Sequence, residues 1–196
     1  MIVIDTETTG VEPTKNALLS IGAVDFQNPE RRFYGECRVF EGAHVDEQAL
    51  VINGFTKKSI RDESKMSDKE LVLKFIAWAS ESADTTFAGE NPAFDRDFMR
   101  EVALRYGLDW KFAHRTVDLH SVAYAYILGR GIELPMKNGH TGQNLSLTLK
   151  LVGMSDTRKA HNALEDALLE AEAFSRLIYK KNLLSEYKNF PIPENL

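Results

Sequence analysis

The chain has 196 residues, 43% of them hydrophobic and 27% charged, and its formal net charge is −5. This length and balance indicate one soluble globular domain and exclude a disordered or fibrous chain. The acidic total argues against a broad basic surface for duplex nucleic acid, although a groove for one strand end needs only local basic residues.

Cysteine usage and hydropathy give an expectation about the compartment. Cys37 is the only cysteine, so no internal disulfide can form. The strand pattern begins at residue 2, and no apolar run approaches the length of a membrane span. We therefore expect a cytoplasmic protein that does not contact a membrane.

The first half of the chain is predicted to begin with three strands. An apolar run at residues 1–4 leads into Asp5, and residues 17–26 and 33–40 have strand composition with a turn between them. A helix is predicted over 67–79 with a capping box, then a short strand over 85–88. A second helix begins at Pro92 and ends at Gly107.

The second half is predicted to contain one strand, three helices and a long loop. These are a strand over 114–119 and helices over 121–128, 145–151 and 163–180, with a glycine-rich loop over 129–144. Strands followed by alternating strands and helices indicate an α/β fold. We expect one domain over 1–180 and a short tail over 181–196 that contacts a partner or is disordered.

Two carboxylates follow the opening apolar run. Asp5 and Glu7 lie two residues apart, so in a strand their side chains point to the same face. A divalent cation relieves the repulsion between such neighbours, and oxygen ligands favour Mg²⁺ or Mn²⁺. The alternative is that both are solvated turn residues.

Two further carboxylates and a histidine complete a candidate site. Asp95 falls in the first turn of its predicted helix, where the helix dipole alone also favours an acid. Asn162 and Glu165 have the spacing of a capping box, which makes His161 the residue before the cap and Asp166 the fourth helical residue. Those two positions meet in a hydrophobic staple, so the imidazole and the carboxylate are expected on one side. A surface histidine and a solvated acid are the alternatives.

These segments together resemble a known family. The ordered set Asp5-x-Glu7-Thr8-Thr9-Gly10, Asn91-x-x-Phe94-Asp95 and His161-Asn162-Ala163-x-x-Asp166 is similar to the three exonuclease motifs of the DEDDh (DnaQ-like) family. That family includes the proofreading exonuclease of bacterial DNA polymerase III. The resemblance implies a ribonuclease-H-like fold with a mixed five-stranded sheet flanked by helices.

The resemblance also implies roles for ten residues. Asp5, Glu7, Asp95 and Asp166 would hold two divalent cations, Mg²⁺ or Mn²⁺, and His161 would be the general base. Five residues would contact the terminal nucleotide, namely Thr8, Thr9, Gly10, Asn91 and Phe94. Arg158 and Lys159 are candidate phosphate contacts, and plain solvent exposure is the favoured interpretation.

The expected function is metal-dependent 3′-to-5′ exonuclease activity that releases nucleoside 5′-monophosphates. The Thr8-Thr9-Gly10 opening looks more like the DNA branch, so single-stranded DNA is the favoured substrate. The alternatives are an exoribonuclease on short RNA or RNA 3′ ends, and a catalytically silent module that binds nucleic acid or a polymerase. Relatives are homodimers or polymerase-associated subunits, so either assembly is an expectation here.

Two departures from the family pattern border the expected groove. Glu90 stands where many relatives have histidine, and Asn53 stands where many have histidine before glycine. Neither removes an expected metal ligand.

Overall fold

A six-stranded mixed sheet forms the centre of the computed structural model, which describes residues 1–156, 158 and 160–196. Its strands are β1 (Ile2–Thr8), β2 (Leu18–Asp25), β3 (Arg32–Arg38), β4 (Met66–Ser67), β5 (Phe87–Gly89) and β6 (Thr116–Asp118). The spatial order is β4-β3-β2-β1-β5-β6. β2 is antiparallel to β1 and β3, whereas β5 is parallel to β1 and β6.

Within the described ranges, six helices pack around the sheet. They are α1 (Glu47–Ile52), α2 (Asp68–Ala79), α3 (Pro92–Tyr106), α4 (Leu119–Gly129), α5 (Leu145–Leu151) and α6 (Ala163–Tyr179), with 3₁₀ turns at Ser59–Arg61 and Ser185–Tyr187. Among the described residues, no helix has both the length and the apolar character that crossing a membrane requires.

The strand β1 is buried on both faces. Ile2 and Ile4 belong to the core shared with α2 and α3, whereas Val3 belongs to the core shared with α4, α5 and α6. All three side chains are fully buried. The apolar opening of the sequence is therefore the central strand that its composition predicts.

Gly22 allows α6 to begin directly on the sheet. It lies opposite Asp5 in the β1–β2 register, and a Cβ atom there would come within 2.1 Å of the Ala163 carbonyl carbon. The helix start is thus in backbone contact with β2, beside the carboxylates of β1. This close approach places Asp166 near the end of the central strand.

The α/β class and the mixed sheet flanked by helices are confirmed, and the two-residue strand β4 adds a sixth strand at the edge. The capping box of α2 is confirmed, because Ser67 and Glu70 exchange both hydrogen bonds. The strand predicted over 85–88 lies at Phe87–Gly89, since Asp84 holds the Thr86 amide in a turn. α4 begins two residues early because the Asp118 carboxylate caps it.

The loop predicted over 129–144 contains one small hairpin. Its strands are β7 (Met136–Lys137) and β8 (His140–Thr141), and they pair antiparallel. Asn138 and Gly139 form the turn with φ of 52° and 82°. Asn-Gly is the favoured pair for such a turn, so the sequence carried a hairpin signal that the loop prediction did not use.

The segment that follows α6 packs against the rest of the protein. Arg176 is fully buried and donates to the carbonyls of Tyr187 and Phe190, at 3.0 Å each. Glu172 pairs with Arg176 at 2.8 Å and accepts from the Leu183 and Leu184 amides. A buried ion pair with these additional hydrogen bonds holds the segment in place.

Substituting Gly22 by alanine tests the close approach of α6. Because the new methyl group would overlap the helix backbone, we expect a loss of about 1–3 kcal/mol in the free energy of unfolding, measured by urea denaturation. Gly129→Ala is the matched control, since a Cβ atom there has no neighbour within 4 Å among the described residues. Equal stability of the two variants would contradict the packing argument.

Candidate active site

The carboxylates of β1 lie at the end of the strand on the face that α6 covers. Asp5 and Glu7 lie opposite Gly22 and Ser20 of β2, and Glu7 is 5% exposed. The Oε1 atom of Glu7 is buried and has no hydrogen-bond partner among the described residues. A buried carboxylate oxygen without a partner is costly unless it ligates a cation.

Asp95 approaches from α3. Its side chain is 3% exposed, and Oδ1 accepts a hydrogen bond of 2.8 Å from the Thr6 hydroxyl. Thr6 points to the opposite face of β1 from Asp5 and Glu7. Side chains on both faces of the strand therefore contribute to the site. Helix α3 follows β5, which is the parallel neighbour of β1. Asp95 in the first turn of α3 therefore lies at the same end of the sheet as the carboxylates of β1.

His161 and Asp166 meet at the start of α6, as their spacing predicts. The Nδ1 atom of His161 lies 3.2 Å from Asp166 Oδ2, and Asn162 caps the helix by accepting from the Leu164 and Glu165 amides. Ligand atoms of Glu7, His161 and Asp166 all lie within 4.8 Å of one another. This trio has the composition of a cation site, with Asp5 and Asp95 beside it.

The segment before α6 is fixed to the end of α1. The His161 amide donates to the Ile52 carbonyl at 3.1 Å, and a Cβ atom on Gly54 would contact Ala160 at 3.3 Å. Asn53 in turn donates to the Thr8 carbonyl at 3.0 Å. The amide of Asn53 thus connects the first motif to the segment that carries His161.

Arg158 is not solvent-exposed, and the expectation that favoured exposure is wrong for it. Its side chain is 10% exposed and lies 3.1 Å from Asp166 Oδ1 and 2.7 Å from Asp156 Oδ2. Both oxygens of Asp166 therefore have a nitrogen neighbour, one from Arg158 and one from His161. Lys159, the other candidate phosphate contact, lies outside the described residues.

The residues expected to contact the terminal nucleotide lie in two groups. In the first motif, Thr8 and Thr9 are buried, and the Thr8 hydroxyl donates to the Gly10 carbonyl at 2.6 Å. A Cβ atom on Gly10 would come within 2.4 Å of Nδ2 in the side-chain amide of Asn16. The backbone of this turn is therefore tightly packed.

In the second motif, Asn91 precedes α3 in a left-handed conformation, with φ of 56°. Within the described part of the chain its side chain makes no capping hydrogen bond, so Asn91 marks the helix start without capping it. Phe94 packs on Phe98 with ring centroids 4.8 Å apart and is half-buried.

A cavity of about 830 Å³ opens beside Glu7 and His161. Its walls also include Tyr34, Lys65 and Tyr187. This volume is within the usual range for small-molecule sites. The polar side chains that meet at its end thus have room for a ligand of nucleotide size.

The site is electrostatically strained. Burial raises the pKa of Glu7 to about 7, with Asp166 adding to the effect, and burial raises the pKa of Asp95 to about 7. Burial and the neighbouring Asp95 hold the pKa of Asp5 well above its usual range. The Asp166 carboxylate raises the pKa of His161. Positive charge at this position would relieve the repulsion.

Sequence reasoning did not identify Glu170, a further acid that lies one turn after Asp166. Its side chain is 2% exposed, and burial, Asp95 and Asp166 hold its pKa well above the usual range. Its spacing of four from Asp166 on a predicted helix was the available signal. Glu90 also lies near it, with Oε1 3.3 Å from His120 Nδ1.

The fold and the site together define a class of protein. Clustered buried carboxylates beside an imidazole, at the end of a central strand, are suited to cation-assisted hydrolysis at a phosphorus or carbonyl centre.

Comparison with known proteins identifies the family. Residues 2–174 match the RNase_T family model, described as "Exonuclease". A ribonuclease T from Marinobacter nauticus is 27% identical over 98% of this chain and 86% of its own length. A DNA polymerase III of the PolC type from Thermotoga maritima is 25% identical over 90% of this chain but only 12% of its own length.

Solved structures share the fold. E. coli exonuclease I in complex with a 5cy-dT13 oligonucleotide superposes with a TM-score of 0.69, at 20% identity, over 91% of this chain and 40% of that one. The chain belongs to the RNase T exonuclease family, and the expected enzyme class, a 3′-to-5′ exonuclease on a ribonuclease-H-like fold, is confirmed.

The raised pKa values predict how the stability of the cation-free protein depends on pH. With Glu7, Asp95 and His161 all raised, the folded state binds more protons than the unfolded state near neutrality. The free energy of unfolding in EDTA should therefore fall, by about 1–3 kcal/mol, from about pH 5 to about pH 8. Urea denaturation across this range measures it. Glu7→Gln should flatten the slope, and a rise in stability over the same interval would contradict the assignment.

Proposed function

We propose that this protein removes nucleoside 5′-monophosphates from the 3′ ends of single-stranded DNA, with two divalent cations bound at the end of β1. The observation that carries the proposal is the meeting of Glu7, His161 and Asp166 within 4.8 Å, beside Asp5 and Asp95. The exonuclease family supplies the reaction type. E. coli exonuclease I, which shares the fold, was solved with a bound oligonucleotide.

The residues present fit divalent cations. The orphaned Oε1 of Glu7 and the raised pKa values of three carboxyls support a cation site, because bound cations would offset the negative charge of these groups. Asp5, Glu7, Asp95 and Asp166 would hold two ions, and all-oxygen ligands favour Mg²⁺ or Mn²⁺. When bound, such ions stabilise charge on the attacking and leaving oxygens of an in-line displacement at phosphorus.

His161 has the position of a general base. Its Nδ1 faces Asp166 Oδ2, so an Nδ1–H donor there leaves Nε2 to accept a proton from water. The water oxygen then bonds to phosphorus, and the bond from phosphorus to the 3′ oxygen of the preceding nucleotide breaks. That oxygen takes up a proton and becomes the new 3′ hydroxyl, and the terminal nucleotide leaves as a 5′-monophosphate.

The terminal nucleotide is assigned to the first two motifs. Backbone amides of Thr8, Thr9 and Gly10 would lie near its 3′ hydroxyl, and Asn91 and Phe94 would line the base pocket. The tight packing of Gly10 on Asn16 and the exposed position of Asn91 support this division.

The domain and its partners complete the proposal. Residues 1–180 form the exonuclease domain, and 181–196 form a short C-terminal tail on it. The PolC-type relative, of which this chain spans 12%, suggests association with a polymerase, and a homodimer is the other candidate assembly.

Digestion of a 5′-labelled single-stranded DNA oligomer with Mg²⁺ or Mn²⁺ tests the reaction. We expect products that shorten from the 3′ end and are abolished by EDTA. His161→Ala should lower the rate about 10²- to 10⁴-fold, as expected for loss of a general base. His114→Ala is the matched control, because His114 is exposed and lies outside the three motifs. This variant should cleave like the wild type.

A cation-binding measurement separates the catalytic proposal from a silent binding module. Asp5→Asn should weaken Mn²⁺ binding, measured by calorimetry, and abolish cleavage. Unchanged binding and cleavage in Asp5→Asn would refute the site assignment. A wild-type protein that binds single-stranded DNA without cleaving it under any cation would favour the binding module.

Matched DNA and RNA oligomers of one sequence test the choice of substrate. Faster release of nucleotides from DNA is expected, because the Thr8-Thr9-Gly10 opening looks like that of the DNA branch. Faster release from RNA, by the same EDTA-sensitive and His161-dependent reaction, would establish the exoribonuclease alternative instead.

A further inference from the structure

We infer that Glu170 is a fifth carboxylate of the cation site and strengthens cation binding there, an inference that rests on the proposed function. Neither the family motifs nor the spacing of the four expected ligands includes this residue. It lies on α6, four residues after Asp166, and therefore on the same face of the helix.

The Glu170 carboxylate is buried, and one of its two oxygens has no hydrogen-bond partner among the described residues. The residue is 2% exposed, and Oε2 has no hydrogen-bond partner within the part of the chain that the structure describes. Removing such a group from water costs free energy unless a proton or a cation compensates it. The Glu90 backbone stabilises the charged form of this carboxyl, but among the described residues no cationic side chain pairs with it, as Arg176 pairs with Glu172 at 2.8 Å.

The neighbours of Glu170 place it at the cation site. Asp5, Asp95 and Asp166 all interact electrostatically with it, in the direction of repulsion. These are three of the four residues assigned to the ions. Glu170 thus adds a buried acid beside three of the four expected ligands.

The fold leaves room for this side chain at one point. A Cβ atom on Gly89 would lie 3.0 Å from Glu170 Oε2 and 2.6 Å from the Ile4 carbonyl oxygen. Gly89 ends β5, beside β1, so the missing side chain opens a space in which the carboxylate reaches the strand ends. The residue after it, Glu90, has a second buried oxygen, Oε2, without a partner among the described residues.

Calorimetric titration with Mn²⁺ tests the inference. Glu170→Gln keeps the size and shape of the side chain and removes its charge, and we expect it to weaken Mn²⁺ binding about 10- to 100-fold, the usual effect of losing a supporting group at a metal site. Glu133→Gln is the matched control, because it removes the same charge from an exposed position outside the site. Its affinity should stay within about twofold of the wild type.

Thermal unfolding distinguishes this role from a structural one. In EDTA, Glu170→Gln should raise the melting temperature, since it relieves repulsion, and the stabilisation by saturating Mn²⁺ should shrink. A structural role would lower the melting temperature in both conditions. Wild-type affinity in Glu170→Gln, or a melting temperature lowered equally with and without Mn²⁺, would overturn the inference.

The two proposals fail in different ways. If the proposed function is wrong, the wild type binds no Mn²⁺ and Asp5→Asn changes nothing, and the inference falls with it. If only the role of Glu170 is wrong, the wild type binds Mn²⁺, Asp5→Asn weakens binding and Glu170→Gln binds like the wild type.

Discussion

Repulsion among buried carboxylates at the end of β1 is the constraint on which the site depends. Burial raises the pKa values of Asp5, Glu7 and Asp95, and neighbouring acids raise those of Asp5 and Glu7 further. Such a cluster persists only where the surrounding structure fixes its members, and here β1 is buried on both faces and α6 begins in backbone contact with Gly22. The stable parts of the fold hold together groups that repel each other.

The sequence predicted the elements whose signals are local. The apolar opening strand, the capping box of α2, the start of α3 at Pro92 and the extent of α5 depend on neighbours within a few residues, and the structure confirms them. The His161–Asp166 contact was also predictable, because the residue before the cap and the fourth helical residue often meet at a capped helix start.

Other features depend on contacts between distant segments. Arg158 was expected in solvent, but it pairs with Asp156, two residues before it, and with Asp166 at the start of α6, because the loop folds back on the helix. Two of the acids that neighbour Glu170 come from β1 and α3, so in the sequence only its spacing from Asp166 hinted at a place in the site. The two departures from the family pattern also make contacts with distant segments. Asn53 donates to the Thr8 carbonyl and Glu90 contacts His120, and neither partner is near in sequence.

The side chains of His161 and Asp166 differ in exposure, and this difference decides which ring nitrogen of His161 can reach a water molecule. The Asp166 side chain is 2% exposed, whereas that of His161 is 48% exposed, so the contact joins a fixed buried carboxylate to a ring that reaches water. A base must be oriented on one side and accessible on the other. The capped start of α6 orients Asp166, and the bond from the His161 amide to Ile52 fixes the backbone. The ring nitrogen that faces away from Asp166 is then the atom available to a water molecule.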